Sequence, residues 1–112
     1  VVWNLCQNAI RHGAQESTPF NIRMVCKPSP VSLMPQLNII DNGAGIDPDI
    51  ADTIFEPFFT TRSSGTGLGL YIAREICENN QAHLDYIPAP GGGSCFRITF
   101  SSRLPQGVST FA

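Results

Sequence analysis
The sequence predicts an α+β fold, a two-layer α/β sandwich with helices on one face of a sheet. Three observations carry this prediction. Residues 1–12 and 68–79 place apolar side chains at helical spacing, four other runs read as strands, and the order is helix, β-hairpin, loop, helix, β-hairpin. A chain of 112 residues has room for one core. The patterned part is expected as a single domain over 1–102, with 103–112 a tail that has little to bury.

In VVWNLCQNAIRH, Val2, Leu5, Cys6 and Ala9 fall on one side of a helix, while Asn4, Asn8 and Arg11 lie within about 60° of one another. Gly13 is placed to stop it. Phe20 to Cys26 reads as a strand, Lys27 to Pro30 as its break, and Leu33 to Ile40 as its hairpin partner. A glycine-punctuated turn from Asp41 to Asp47 follows, with Asp47 and Pro48 as N-cap and first-turn proline of a short helix reaching Ala51. Glu56 to Gly67 loses apolar periodicity after Phe59 and is expected as a loop. From Leu68 to Asn79 the helical pattern returns. Leu68, Ile72, Ala73, Ile76 and Cys77 are expected inward, Arg74, Glu75 and Glu78 outward, and Asn80 in the left-handed position that ends the helix. Two last strands, Ala82 to Ile87 and Ser94 to Ser101, flank the loop from Pro88 to Gly93.

Composition narrows the function classes. Hydrophobic residues are 42% of the chain, which excludes wholesale disorder, and the net charge of −2 argues against nucleic acid or an anionic membrane as the main partner. Cys6, Cys26, Cys77 and Cys95 lack CxxC spacing and lie in apolar stretches, so they read as buried free thiols in a reducing cytosol. No apolar run approaches the ~20 residues of a membrane span, and no signal peptide is evident. Without an initiator Met, the chain reads as a piece of something longer.

Three features can carry chemistry. Gly65-Thr66-Gly67-Leu68-Gly69-Leu70 opens directly into a helix, whose unpaired N–H groups and dipole suit a polyphosphate; alone it more often means a flexible linker. It is not a Walker loop, because no Lys-Ser/Thr pair follows. Asp41-x-Gly43-x-Gly45 fits a tight turn, with Asp41 bonding N–H groups two residues on, or a carboxylate that accepts from an exocyclic amine beside a flat base. On the first helix, Asn4, Asn8 and Arg11 form either a solvated face or a site, since an amide oxygen suits Mg²⁺ and Arg11 or His12 can meet phosphate. His83 opens a strand and reads as a surface or structural residue. No serine or cysteine sits in an activating context, so hydrolase chemistry has no support.

Taken in order, these segments resemble the ATP-binding catalytic domain of bacterial sensor histidine kinases, within the superfamily that includes gyrase, Hsp90 and MutL. Asn4-x-x-x-Asn8 matches the asparagine box, Asp41-x-Gly43-x-Gly45 the first glycine box, Phe55-Glu56-Pro57-Phe58 the phenylalanine box, and Gly65 to Leu70 the second glycine box. Gly93-Ser94-Cys95-Phe96 is similar to the final segment, with Ser for the usual Thr. The stretch IFEPFFTTRSSGTGLGLYIA further resembles kinases of the nitrogen-regulation group, including sensors of type IV pilus genes.

The resemblance implies a Bergerat-type ATP-binding fold on a mixed sheet, with ATP and Mg²⁺ as cofactors. It implies that Asp41 recognises the adenine amino group, supported by Ser94, with Gly43 and Gly45 beside it. Asn8 would ligate Mg²⁺, Arg11 and His12 would contact phosphate, and Gly65, Thr66, Gly67, Leu68, Gly69 and Leu70 would grip the phosphates. Arg62 would meet the γ-phosphate from the loop. Where gyrase-like ATPases place a water-activating Glu, this chain has Asn4, which favours transfer over hydrolysis because an amide is no general base. The phosphorylated histidine is implied to lie on a dimerisation domain outside this chain, and the final acceptor on a response regulator. The parent would be a homodimeric inner-membrane sensor with this domain in the cytoplasm, the 112-residue piece itself monomeric. A gyrase-type ATPase and a non-catalytic nucleotide-binding interaction module are the alternatives.

Overall fold
The computed structural model describes residues 1–13, 19–59 and 68–101, with the backbone alone at Asn8 and at 11–13. The element order is α1 (Val2–Gly13), β1 (Ile22–Pro28), β2 (Pro35–Asp41), a single 3₁₀ turn (Ala51–Thr53), α2 (Gly69–Asn79), β3 (Ala82–Pro88) and β4 (Ser94–Phe100). The strands form one sheet in the order β1-β2-β4-β3. Both helices pack on it, α1 against β2 and β4 and α2 against β3.

Every neighbouring pair is antiparallel. Within the described residues the sheet is therefore not mixed, contrary to the expectation. β2 and β3 do run the same way, but β4 lies between them and opposes both, so the parallel pair never forms.

Strand alternation sorts the sheet into two faces. Toward the helices, one row runs Met24-Ile39-Phe96-Tyr86 and the next Cys26-Leu37-Ile98-Leu84. Ile39, Phe96, Leu84 and Ile98 join Leu5, Ala73, Cys77, Ile54 and Phe55 in a single buried core. Phe96 is at its centre, with Phe55 edge-on at 6.2 Å and Tyr86 tilted at 5.6 Å between ring centroids. Such aromatic pairs add about 0.5–1.5 kcal/mol beyond the area they bury. The opposite face carries the rows Val25-Asn38-Arg97-Asp85 and Arg23-Ile40-Cys95-Ile87.

Several local expectations shift. β1 runs on through Lys27 to Pro28, because it is an edge strand where a missing N–H costs no ladder bond. The helix expected from Pro48 is a turn followed by the 3₁₀ turn: Ile50 N–H donates to the Asp47 carbonyl at 3.0 Å and Asp49 N–H to Asp47 Oδ1 at 2.9 Å, a tighter winding than an α-helix. On α2 the buried stripe is Ala73 and Cys77, while Ile72 and Ile76 are 43% and 42% exposed. Asn80 Nδ2 bonds back to the Ile76 carbonyl at 2.7 Å, and Gln81, at φ 61°, takes the left-handed position instead. Of the four free cysteines only Cys77 and Cys95 are buried; Cys26 is exposed and Cys6 half-buried. Residues 103–112 lie outside the described residues.

Candidate functional site
The site is built where β2 ends beside the start of β4. Alternation brings Asp41 to the end of β2 almost fully buried, and two main-chain groups converge on one carboxylate oxygen: Gly43 N–H at 2.8 Å and Ser94 N–H at 3.4 Å from Oδ1. The first bond is the tight turn that the sequence allowed. The second holds the carboxylate to β4, and it comes from the Ser94 backbone. Ser in place of Thr therefore changes nothing at this contact. Asp41 Oδ2 has no partner among the described residues.

Two glycines let the strands close around Asp41. Gly93, at φ 95°, packs so tightly that a Cβ would overlap the Asp41 carbonyl oxygen and come within 3.0 Å of Asn42 Cα. Gly45, at φ 79°, faces the Gly93 carbonyl at 3.3 Å from where its own Cβ would be. Gly43 contributes through its N–H. The turn is fixed further along by Tyr86, whose hydroxyl accepts from Ile46 N–H at 3.2 Å. Asn42 binds the entry to β1, donating Nδ2 to the Pro19 carbonyl and accepting Asn21 N–H, each at 2.8 Å.

On α1, Asn4 is half-buried and its helical register with Asn8 and Arg11 is as expected, while the side chains of Asn8, Arg11 and His12 lie outside the described residues. At the other helix, Leu68 is the N-cap, and its carbonyl accepts Ile72 N–H at 2.8 Å. The first N–H groups of α2, at Gly69 and Leu70, therefore point off the helix end. A Cβ on Gly69 would meet nothing within 4 Å, so the fold does not require glycine there. Arg62, Gly65, Thr66 and Gly67 lie outside the described residues.

The Phe55-Glu56-Pro57-Phe58 segment divides. Phe55 is core, whereas Phe58 is 74% exposed at φ 67°. Arg74 ties this segment to α2 and β3: its guanidinium carbon is 3.8 Å from the Phe55 ring centroid, and Nε and Nη2 donate to the Leu84 carbonyl at 3.3 and 3.0 Å. Tyr86, Asn42 and Arg74 carry no sequence signal as site residues, since their partners are set by tertiary packing. Gly93 is marked in the sequence by the segment Gly93-Ser94-Cys95-Phe96, though not its approach to Asp41.

A family model described as histidine kinase-, DNA gyrase B-, and HSP90-like ATPase matches residues 1–104. The chain is 48% identical over 101 residues to the sensor protein kinase PilS of Pseudomonas aeruginosa, covering 90% of this chain and 19% of that protein. It is 44% identical over 64 residues to the sensory histidine kinase/phosphatase NtrB of Rhodobacter capsulatus, covering 57% of this chain and 18% of that one. The nucleotide-free catalytic domain of histidine kinase ThkA superposes with a TM-score of 0.70 at 28% identity, over 88% of this chain and 61% of that one. Full-length ShkA in complex with AMPPNP shares the fold, with a TM-score of 0.68 at 20% identity over 93% of this chain and 22% of that one. The chain thus spans about a fifth of the length of these curated relatives.

Proposed function
Because the chain belongs to the histidine kinase-, DNA gyrase B- and HSP90-like ATPase family, and its named relatives are sensor kinases, we propose that it holds ATP at the Asp41 turn and presents the γ-phosphoryl group to a histidine on a separate domain. The observation that carries this reading is the Asp41 carboxylate. One oxygen is gripped by two N–H groups and the other is without a partner among the described residues, which suits an acceptor for the adenine amino group. Gly43 and Gly45 shape the turn that holds it, Gly43 through its N–H and Gly45 by letting the Gly93 carbonyl come close.

The remaining roles follow the family pattern. The N–H groups at the start of α2 cradle phosphate oxygens, as the glycine-rich run Gly65 to Leu70 does by the family pattern, and Gly69 supports this because the fold itself has no steric need for it. Asn8 fits Mg²⁺, since a side-chain amide oxygen is the hard donor that this ion takes beside phosphate oxygens and water. Such an ion offsets charge on the phosphates. Arg11, His12 and Arg62 add cations. Asn4 cannot activate water, so the phosphoryl group goes to the protein acceptor rather than to hydrolysis. With positioning and charge supplied, phosphoryl transfer needs little further chemistry from the chain.

In the parent, the acceptor histidine belongs to a dimerisation domain, a response regulator takes the phosphoryl group onward, and the homodimeric sensor sits in the inner membrane with this domain in the cytoplasm. No helix among the described residues is long and apolar enough to cross a membrane. The test is to incubate the chain with γ-labelled ATP and a histidine-bearing dimerisation domain from a sensor kinase. Acid-labile label on that domain is expected. Phosphate release without labelling would point instead to a gyrase-type ATPase.

A further inference from the structure
The sheet face turned away from the helices carries a second feature. Arg23 and Lys27 on β1 and Arg97 on β4 line a groove of about 410 Å³ on this face. None of the three has an ion-pair partner among the described residues, where the ion pair present is Arg74–Asp85 at 4.0 Å. They are three of the seven Lys and Arg residues in a chain of net charge −2. The face is arranged for them. Asn38, 2% exposed, accepts Arg97 Nε at 2.8 Å and Cys95 Sγ–H at 3.5 Å on Oδ1, so Arg97 is held at one nitrogen while its terminal nitrogens have no partner among the described residues. Val25, Ile40 and Ile87 supply apolar floor between the cations. Asp41 borders the groove at the end of β2, where Gly43 and Ser94 N–H groups hold its Oδ1, and Asp85, opposite Arg97 in the register, is 4.0 Å from Arg74.

We propose that this face is a docking groove for an acidic polypeptide segment, one with carboxylates separated by apolar residues. The spacing selects the occupant. Arg23 and Lys27 are four residues apart on one strand, about 13 Å, and Arg97 lies two strands from Val25, about 10 Å away. Cations rooted this far apart suit several anionic groups better than one. An extended segment puts every second side chain on one face, ~7 Å apart, so a run with a carboxylate at every fourth residue sets carboxylates ~13 Å apart, over Arg23 and Lys27, with the apolar residue midway between them on Val25. A nucleic acid also spaces its charges, but the groove residues include no aromatic ring for bases to stack on.

A fluorescently labelled peptide repeating Glu-Ser-Val-Ser, which in extended form carries glutamate and valine on one face, tests this by polarisation when titrated into the chain. Glutamine-for-glutamate peptide and single-stranded DNA are the comparators. The glutamate peptide is expected to bind, to weaken as salt is raised, and to lose ~10-fold or more in affinity to Arg23→Ala/Lys27→Ala. Both side chains are exposed, so the fold tolerates the change. The charge-reversed pair Arg23→Glu/Lys27→Glu is expected to take a peptide repeating Lys-Ser-Val-Ser instead, a gain that misfolding does not produce. Equal binding of glutamate and glutamine peptides, or an unchanged affinity in the alanine pair, overturns the proposal. Tighter binding of the DNA also overturns it and makes the face a nucleic-acid surface.

Discussion

Gly93 lies directly against the carbonyl of Asp41, closer than any side chain allows. This contact seals the β3–β4 turn onto the end of β2 and brings the Ser94 N–H to the Asp41 carboxylate. The adenine acceptor proposed here thus depends on a residue that contributes no side chain.

Gly93→Ala combines a backbone overlap with a φ of 95° that an L side chain rarely adopts. The two effects together cost about 2–4 kcal/mol. Urea unfolding of the variant should show an unfolding free energy lowered by that amount, with nucleotide binding lost in parallel.

Asp41→Asn separates binding from folding. An amide oxygen still accepts from Gly43 and Ser94, so stability should change by about 1 kcal/mol or less. The amide presents the base with a mixed donor and acceptor, and ATP affinity should fall ~10-fold or more. Unchanged affinity, measured by calorimetry, removes Asp41 from the site.

Tyr86→Phe keeps the ring against Phe96 and removes the acceptor of Ile46 N–H. The expected loss is about 1 kcal/mol, and exchange of the Ile46 amide should quicken. Phe96→Ala empties the centre of the core and should cost about 3–5 kcal/mol.

Arg74→Ala removes two donors from the Leu84 carbonyl and the cation over Phe55. About 1–2 kcal/mol should be lost. Arg74→Lys should recover only part, since an ammonium lacks the planar fork.

Burial raises the Cys77 and Cys95 thiols above the ordinary value of 9.0. A thiol raised on folding favours the native state below that value and loses the contribution as pH climbs through the folded one. Stability should therefore hold to about pH 8 and decline above pH 9, less steeply in Cys77→Ala. In the native chain, exposed Cys26 should alkylate well before Cys77 and Cys95.

Much of the architecture was legible in local pattern. Leu5 and Ala9 are buried as the spacing of α1 predicts, and the two hairpins and their order follow from alternation and turn residues. What was not legible depends on contacts distant in sequence. That Ile72 and Ile76 face outward is decided by which stripe of α2 meets the sheet, and here small Ala73 and Cys77 allow the closer approach. In the site, the motif at Asp41 was readable because a turn bond spans two residues. The Tyr86 bond spans forty positions and the Ser94 bond fifty-three, and no local signal encodes either.

The most direct measurement is calorimetric titration of the chain with Mg-ATP, with Mg-GTP as the comparison. The account predicts that ATP binds ~10-fold or more tightly than GTP, because only adenine offers an amino group to the Asp41 carboxylate where guanine offers a carbonyl oxygen. Equal affinities for the two nucleotides would contradict it.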